Sequence, residues 1–476
     1  MVKQGNPKHA SASAEFAGVD LPDVRLNQRL DRIVAALDAR PDASFPMSMP
    51  TDADLEAFYR FVRNDAVAFD ALHASHVEAT LARAMEHKTV RLVHDTTEFK
   101  FQGDSERKGL GVLGTSGRGF LGHFALAVSV EGREPLGVLG VTTWARTGIS
   151  ATKRQKLEGL SYEQVRDLEN ENDKWLRLID STEEEVGGAV SLIHVMDSEA
   201  DDYELFATLV QQQRRFVVRS KQNRVLVPED KCSREQPKLK LSGVVSAQPI
   251  VAKRMVQLSR RGKSPGRRKH NSAREEREAI LTFRATRVVV RRPTIARRHL
   301  SPETAVNVVC VKELNPPADA EPVEWTLITT EPIETADQIL AIVDHYRARW
   351  LIEEYFKALK TGCAYEKRQL ESMNTLLNAL ALFIPIAWNL LRLRVLTRDR
   401  PDAPATDTLS PMEIEVLRRA SKGRLLEKPS LRDAMLAIAR LGGHLKSNGE
   451  PGWLVLGRGY MELLTLVSGF VLAREM

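Results

Sequence analysis

A chain of 476 residues exceeds one ordinary hydrophobic core, so two or three domains are expected. With 43% hydrophobic and 28% charged residues, the composition excludes a disordered or fibrous chain. The net charge is only +6, but Lys253 to Arg298 holds 16 Lys or Arg against three Glu, which leaves the rest net negative and implies a polyanionic partner.

Cys232, Cys310 and Cys363 lie far apart and form neither a disulfide framework nor a zinc-binding spacing, as expected of a reducing cytoplasm. The first residues, MVKQGNPKHASASAEF, lack the apolar stretch of an export signal. No GxxxxGK[ST] cradle occurs, so no nucleotide cofactor is expected, and the glycines of 109–119 read as turns. HExxH and GxSxG are absent as well.

Residues 1–68 predict a short helical unit, because VRLNQRLDRIVAALDA and DADLEAFYRFVRN both repeat apolar residues at helical spacing. Arg25, Arg29 and Arg32 project from the first of these helices, either into solvent or towards an anion. The period then changes. TVRLVHD (89–95), HFALAVSV (123–130) and PLGVLGVTTW (135–144) read as strands. A charged, helix-compatible stretch runs to KWLRLI. AVSLIHVMD (189–197) is a fourth strand leading into the helix DDYELFATLVQQQ, and RRFVVRS (214–220) is a fifth. Strands interleaved with helices predict an α/β core.

From 222 to 334 the pattern is strand-like without good helices, which predicts an all-β insertion that holds the basic region. VEWTLITTEP returns to the core, and 336–362 predicts one strong helix ended by Gly362. LLNALALFIPIAWNLL (376–391), with Asn378, Pro385 and Asn389, predicts a buried helix rather than a membrane span. RPDAPATDTLSP (400–411) reads as a linker, and LRDAMLAIARLGG as a helix stopped by Gly442 and Gly443. The expected division is therefore 1–68, a core of 69–369, and a helical region of 370–476.

Asp95 ends LVHD and Asp197 ends IHVMD. If these strands are neighbours with matched ends, their carboxylates converge and offer Mg²⁺ the oxygen ligands it prefers. Turn or cap chemistry explains either Asp taken alone. In the helix, Tyr346, Arg349, Glu353, Lys357 and Lys360 recur at spacings of 3, 4, 4 and 3, forming one polar stripe. Ile352, Tyr355, Phe356 and Leu359 line the other side, with Val343 and Trp350 flanking, so the stripe of a largely buried helix needs partners. Glu353 is a candidate third metal ligand. Arg349, Lys357 and Lys360 are candidate phosphate ligands, with internal ion pairs as the alternative. Trp325 and Trp350 are candidates for stacking on a base or for core packing. Arg219 and Lys221 are placed to reach a phosphate or solvent, and His94 reads as a packed histidine rather than a ligand.

The sequence carries DTT at Asp95–Thr97, D-x-E-A-D at Asp197–Asp201, and RFVVRSK at Arg215–Lys221. It also carries Tyr346, Arg349, Glu353 and Lys360 in a Tyr-Arg-Glu-Lys pattern, and LAIARLGG at Leu436–Gly443. These motifs resemble, almost end to end, the bacterial cut-and-paste transposases of the DDE class, in the insertion-sequence-four group and of the transposon-five type. The resemblance implies an RNase H-like mixed-sheet catalytic core with a β-rich insertion at 222–334. It further implies an N-terminal helical DNA-binding domain and a C-terminal helical dimerisation domain.

Asp95, Asp197 and Glu353 would hold two Mg²⁺ ions, with Mn²⁺ able to substitute. A homodimer would pair two inverted-repeat ends of double-stranded DNA, and the reaction would nick, form and open a hairpin, and join the end to target DNA. Trp325 would stack on a flipped base, while Tyr346, Arg349 and Lys360 would grip phosphates. Ser198 and Leu351 stand where the family carries Arg, and only Arg25 and Arg29 match its denser N-terminal basic cluster, so a different end sequence is implied. An RNase H-like nuclease without strand transfer, and a non-catalytic DNA-binding regulator, are the competing readings.

Overall fold

The computed structural model describes residues 12–40, 43–102, 107–113, 117–146, 173–228, 239–258, 275–318, 320–445 and 449–475. In chain order the helices are α1 (Val24–Ala39), α2 (Phe45–Ser48), α3 (Asp52–Val62), α4 (Phe69–Ala84), α5 (Asp173–Val186), α6 (Tyr203–Gln211) and α7 (Leu241–Ser246). They continue with α8 (Ala336–Ala348), α9 (Trp350–Lys357), α10 (Met373–Asp399), α11 (Pro411–Ala420), α12 (Leu431–Leu441) and α13 (Trp453–Glu475). The strands are β1 (Thr89–Lys100), β2 (Gly111–Leu113), β3 (Gly117–Ser129), β4 (Pro135–Trp144), β5 (Ser191–Met196) and β6 (Arg215–Ser220), then β7 (Ala252–Leu258), β8 (Arg277–Arg291), β9 (Glu303–Leu314) and β10 (Glu324–Thr329).

The chain divides into two compact units. One holds Met1–Val90, Asp95–Ser191 and Trp350–Met476; the other holds Arg91–His94 and Leu192–Arg349. The mixed sheet flanked by helices bears out the α/β, RNase H-like fold class.

In the first unit, α1 buries Leu30, Ile33, Val34 and Leu37, the apolar side that its period predicts. Asp23 caps it by accepting from the Arg25 N–H at 2.9 Å. The strands run in the order β2, β3, β1, with β4 antiparallel to β3. Gly119 is required at the β3–β1 approach, since a Cβ there would lie 1.8 Å from the Phe99 carbonyl oxygen.

The N-terminal turn Ala12–Phe16 is held by a buried charge network. Glu15, 1% exposed, accepts from Arg83 Nη1 at 2.7 Å and meets His76 Nδ1 at 2.5 Å. His76 Nε2 accepts the Val138 N–H at 3.0 Å, so Nδ1 carries the proton given to Glu15. Burial pushes the Glu15 carboxyl up, but His76 and Arg83 together outweigh it and bring the value to about 2. Arg83 also lies over the Trp388 ring, 4.2 Å from its centre.

The α10 helix is the core of this unit. Among the described residues it alone is long and apolar enough to cross a membrane, yet 83% of that apolar window is buried. This matches the buried helix expected at 376–391, and its buried Asn378 spends its amide on the Val62 and Val67 carbonyls at 3.1 and 2.8 Å. Helices α12 and α13 cross on glycine. A Cβ on Gly442 would lie 2.0 Å from the Val455 oxygen, and one on Gly459 would lie 1.8 Å from the Ile438 oxygen.

In the second unit, Arg91–His94 of β1 are followed across the sheet by β5, β6, β10, β9, β8 and β7. Strands β5 and β6 are parallel and joined through α6; the later pairs are antiparallel. Phe216, Val217, Val308, Val309, Val311, Phe283, Leu327 and Ile328 are fully buried in its core.

Three expectations need correction. The segment 336–362 is not one continuous helix: at Arg349 the backbone bonds to the Tyr346 carbonyl, three residues back, and Ala358–Gly362 is a π-turn closed by Cys363 N–H to Ala358 O at 2.8 Å. Gly362 does not supply a left-handed cap either; that conformation falls on Ala364, with φ 48°. The insertion is not all-β, since α7 lies within it. Cys232, the charged stretch at 147–172 and the middle of the basic region, 259–274, lie outside the described residues.

Two stability effects follow. Gly459→Ala drives a methyl group onto the Ile438 oxygen and is expected to lower the urea midpoint by the equivalent of about 1–3 kcal/mol or more. Glu15→Gln leaves Arg83 without its carboxylate and is expected to cost about 3–5 kcal/mol at neutral pH. Because the folded Glu15 value lies below 4.5, its stabilisation is complete above that pH and is lost as pH falls through about 2. Urea midpoints measured across this window should fall more steeply for the wild type than for Glu15→Gln.

Candidate active site

The second unit places Asp197 directly after β5, where its Oδ1 accepts the Glu199 N–H at 2.8 Å and caps the turn Ser198–Ala200. Thus Asp197 does lie at a strand end. Its charge reaches Tyr346, which Arg219 and Arg349 also face. Burial raises the Tyr346 hydroxyl above its usual range; Arg349 and Arg219 oppose that, Arg219 also through a hydrogen bond, and Asp197 adds a further upward push. Trp325 packs edge-on against Tyr346, with ring centres 5.6 Å apart. On β10, Leu327 is opposite Arg219 of β6, so Trp325, two residues away, shares the Arg219 face. Tyr346 is therefore met by a second aromatic ring, two guanidinium groups and the charge of the half-buried Asp197, a set suited to a phosphate and an unstacked base.

The last carboxylate of D-x-E-A-D has a different task. Asp201, 5% exposed, accepts from the N–H groups of Lys221 and Gln222 at 2.7 and 2.8 Å and from Arg224 Nε at 3.1 Å. It fixes the turn after β6, on which Lys221 is exposed.

The first unit carries the other two candidate ligands. Asp95 is half-buried and lies within β1, not at its end, because the strand continues to Lys100. The polar Asp-Thr-Thr run reads as a stop, yet Thr is β-branched and extends the strand readily. Asp95 Oδ1 accepts the Thr96 N–H at 2.8 Å, and the Thr96 hydroxyl lies 3.0 Å from His123 Nδ1. Burial, reinforced by the charge of Lys174, pushes His123 down to about 3. His94 belongs to the second unit, where its Nε2 lies 2.9 Å from His194 Nδ1 in a fully buried pair, as expected of a packed histidine.

Glu353 is half-buried on α9, with Ile352, Tyr355 and Phe356 in the core. Lys357 is exposed and sits over the Trp350 ring, 5.4 Å from its centre. Trp350 is 52% exposed, so core packing does not explain it. It opens α9 seven residues before Lys357, on the same helix side, and the ammonium covers part of the ring instead. Lys360 lies in the π-turn; its Nζ donates to the Glu98 carbonyl at 2.5 Å and faces Glu366 at 3.7 Å. Burial lowers its pKa, against the pull of Glu366 and Glu98. At the N-terminus, Arg25 is exposed and paired with Asp23 at 2.8 Å, and Arg29 is half-buried on the same helix.

Among the described residues, no three His, Cys, Asp or Glu side chains are gathered as a metal ion requires. Asp95 and Glu353 belong to one unit and Asp197 to the other.

Comparison with known proteins bears directly on this residue set. Residues 8–67 match the family model "Transposase DNA-binding", and residues 163–390 match "Transposase DDE domain". The chain belongs to the DDE transposases. The DDE match spans Asp197 and Glu353 but begins after Asp95, and the DNA-binding match spans Arg25 and Arg29. The chain is also similar to a solved structure, the cryo-EM piggyBac transposase synaptic complex with hairpin DNA, at TM-score 0.35 and 9% identity, over 94% of this chain and 73% of that one. A likeness at that level decides nothing about the chemistry of this transposase.

Sequence reasoning missed the task of Asp201, which stands in a recognised motif but has its partner Arg224 23 residues on, with no periodic signal between them. Asp201→Asn is expected to destabilise the transposase by about 3–5 kcal/mol through the abandoned Arg224, read as a lower thermal midpoint with local loss of amide protection at 220–224.

Proposed function

We propose that this DDE transposase catalyses cut-and-paste transposition by phosphoryl transfer on double-stranded DNA. The observation that carries the reading is the DDE-domain match across Asp197 and Glu353. DDE transposases generally use divalent metal, and Asp95, Asp197 and Glu353 are the carboxylates offered for it. Carboxylate oxygens are the hard donors that Mg²⁺ takes, and Mn²⁺ accepts the same set. Two bound ions would supply an activated nucleophile and stabilise the leaving oxygen.

The chain's own residues would do the positioning. Arg349 and Arg219 present guanidinium forks to phosphates, Lys357 and Lys360 add point charges, and Lys221 reaches the backbone from its turn. Trp325, edge-on to Tyr346, is the platform for a base drawn out of the duplex. Arg25 and Arg29 would contact the transposon end.

The finer reading places the enzyme in the insertion-sequence-four group near the transposon-five type. It adds end nicking, hairpin formation and opening, and joining to target by a homodimer that uses no nucleotide cofactor. The domains would be 1–68 for DNA binding, 69–369 for catalysis with the insertion at 222–334, and 370–476 for dimerisation. Such an enzyme works in the bacterial cytoplasm, at the nucleoid.

A non-catalytic DNA-binding regulator is the second reading, and the presence of all three carboxylates counts against it. Nicking and strand transfer are to be measured on DNA fragments flanking the coding sequence, with Mg²⁺ and with chelator. The expected result is metal-dependent nicking that falls by about three orders of magnitude or more in Asp95→Ala, Asp197→Ala and Glu353→Ala. Binding without nicking in the wild type supports the regulator, and nicking without joining supports a simple nuclease.

A further inference from the structure

Arg368 is 3% exposed and lies six residues after the π-turn, in no motif tied to DNA or metal. A buried guanidinium is costly unless its donors and charge are answered. Here Nη1 donates to the Ala43 carbonyl and Nη2 donates to the Cys363 carbonyl at 2.5 Å. The charge lies between two rings, 4.9 Å from the centre of Phe45 and 4.5 Å from that of Phe383.

The two ends of this bridge belong to different functional parts of the same unit. Ala43 and Phe45 lie within the matched DNA-binding domain, 8–67, at the start of α2. Cys363 closes the π-turn that continues α9, the helix of Glu353, and that turn contains Lys360. Because guanidinium donors are fixed in one plane, displacing Ala43 must displace Cys363 or break a buried hydrogen bond. A second polar anchor ties α10 to the same domain, where the Asn378 amide donates to the Val62 and Val67 carbonyls.

We propose that Arg368 is a positioning residue that couples the DNA-binding domain to the Glu353 helix, so that engagement of an end sets the placement of Glu353 and Lys360. This rests on the reading of the chain as a DNA-cutting transposase. A DNA-binding domain on a free linker would raise local DNA concentration only; a rigid join lets recognition act on the rate of the chemical step itself.

The test compares the full-length wild type with Arg368→Met and Arg368→Lys. Without DNA, amide exchange in Arg368→Met is expected to quicken about tenfold both at 43–48 and at 358–364, while α5 is unchanged. Arg368→Lys, whose ammonium lacks the planar fork, should show the same two-ended loosening and serves if the Met variant does not fold. Loosening at one end only, or at neither, overturns the coupling. With saturating DNA, the wild type should nick a flanking-sequence duplex faster than a scrambled duplex. The variants should lose about fivefold or more of that preference while binding the flanking duplex within about threefold of wild type. A preference kept intact overturns the proposal. A wild type that nicks neither duplex, with both segments still loosened in the variants, overturns the transposition reading but not the bridge.

Discussion

A charged or polar group taken out of water must find its partners inside the protein, and the first unit is assembled around groups in that position. Glu15, Arg83, Asn378 and Arg368 are all largely buried, and each spans a long sequence separation: Arg83 reaches Glu15 over 68 residues, Asn378 reaches Val62 over 316, and Arg368 reaches Ala43 over 325. Apolar contact is tolerant of small slides, whereas a buried hydrogen bond to a single carbonyl is not. These groups therefore set where the N-terminal helices sit, and the apolar residues of α1, α4 and α10 supply the driving force beneath them.

The elements that the sequence made legible are those governed by local period. The buried sides of α1 and α9, the strands at 135–144 and 215–220, and the Gly442 stop of α12 all follow from apolar spacing and turn residues. What escaped was decided at a distance. The Asp95 strand continues through a polar triplet because β3 lies beside it, and Asp201 is committed to Arg224 and the turn after β6. Of the candidate site residues, Tyr346, Arg219 and Trp325 are brought together by strand register and helix packing, which no spacing in the sequence encodes. Their candidacy could be read; their mutual contact could not.

Two of the candidate phosphate ligands already have partners within the protein. Lys360 has a carbonyl and a carboxylate, and Arg25 has Asp23, so on the proposed reading either would exchange an internal partner for a phosphate. Such an exchange would lower net affinity and sharpen discrimination, since only a well-placed anion compensates for the contact given up.

The π-turn at Ala358–Gly362 carries its own consequence. A hydrogen bond reaching back five residues accommodates one more residue than an α-turn, so the angular bookkeeping of the helix changes partway along it. A helical wheel drawn straight through 336–362 assigns Tyr346 and Lys360 to one line, although the step at Arg349 lies between them and Lys360 sits within the wide turn. The turn shifts the phase of the residues it holds, Lys360 among them, up to its close at Cys363, while the preceding stretch with Glu353 keeps its own. An extra residue stored in a helix in this way lets its two ends answer to different neighbours.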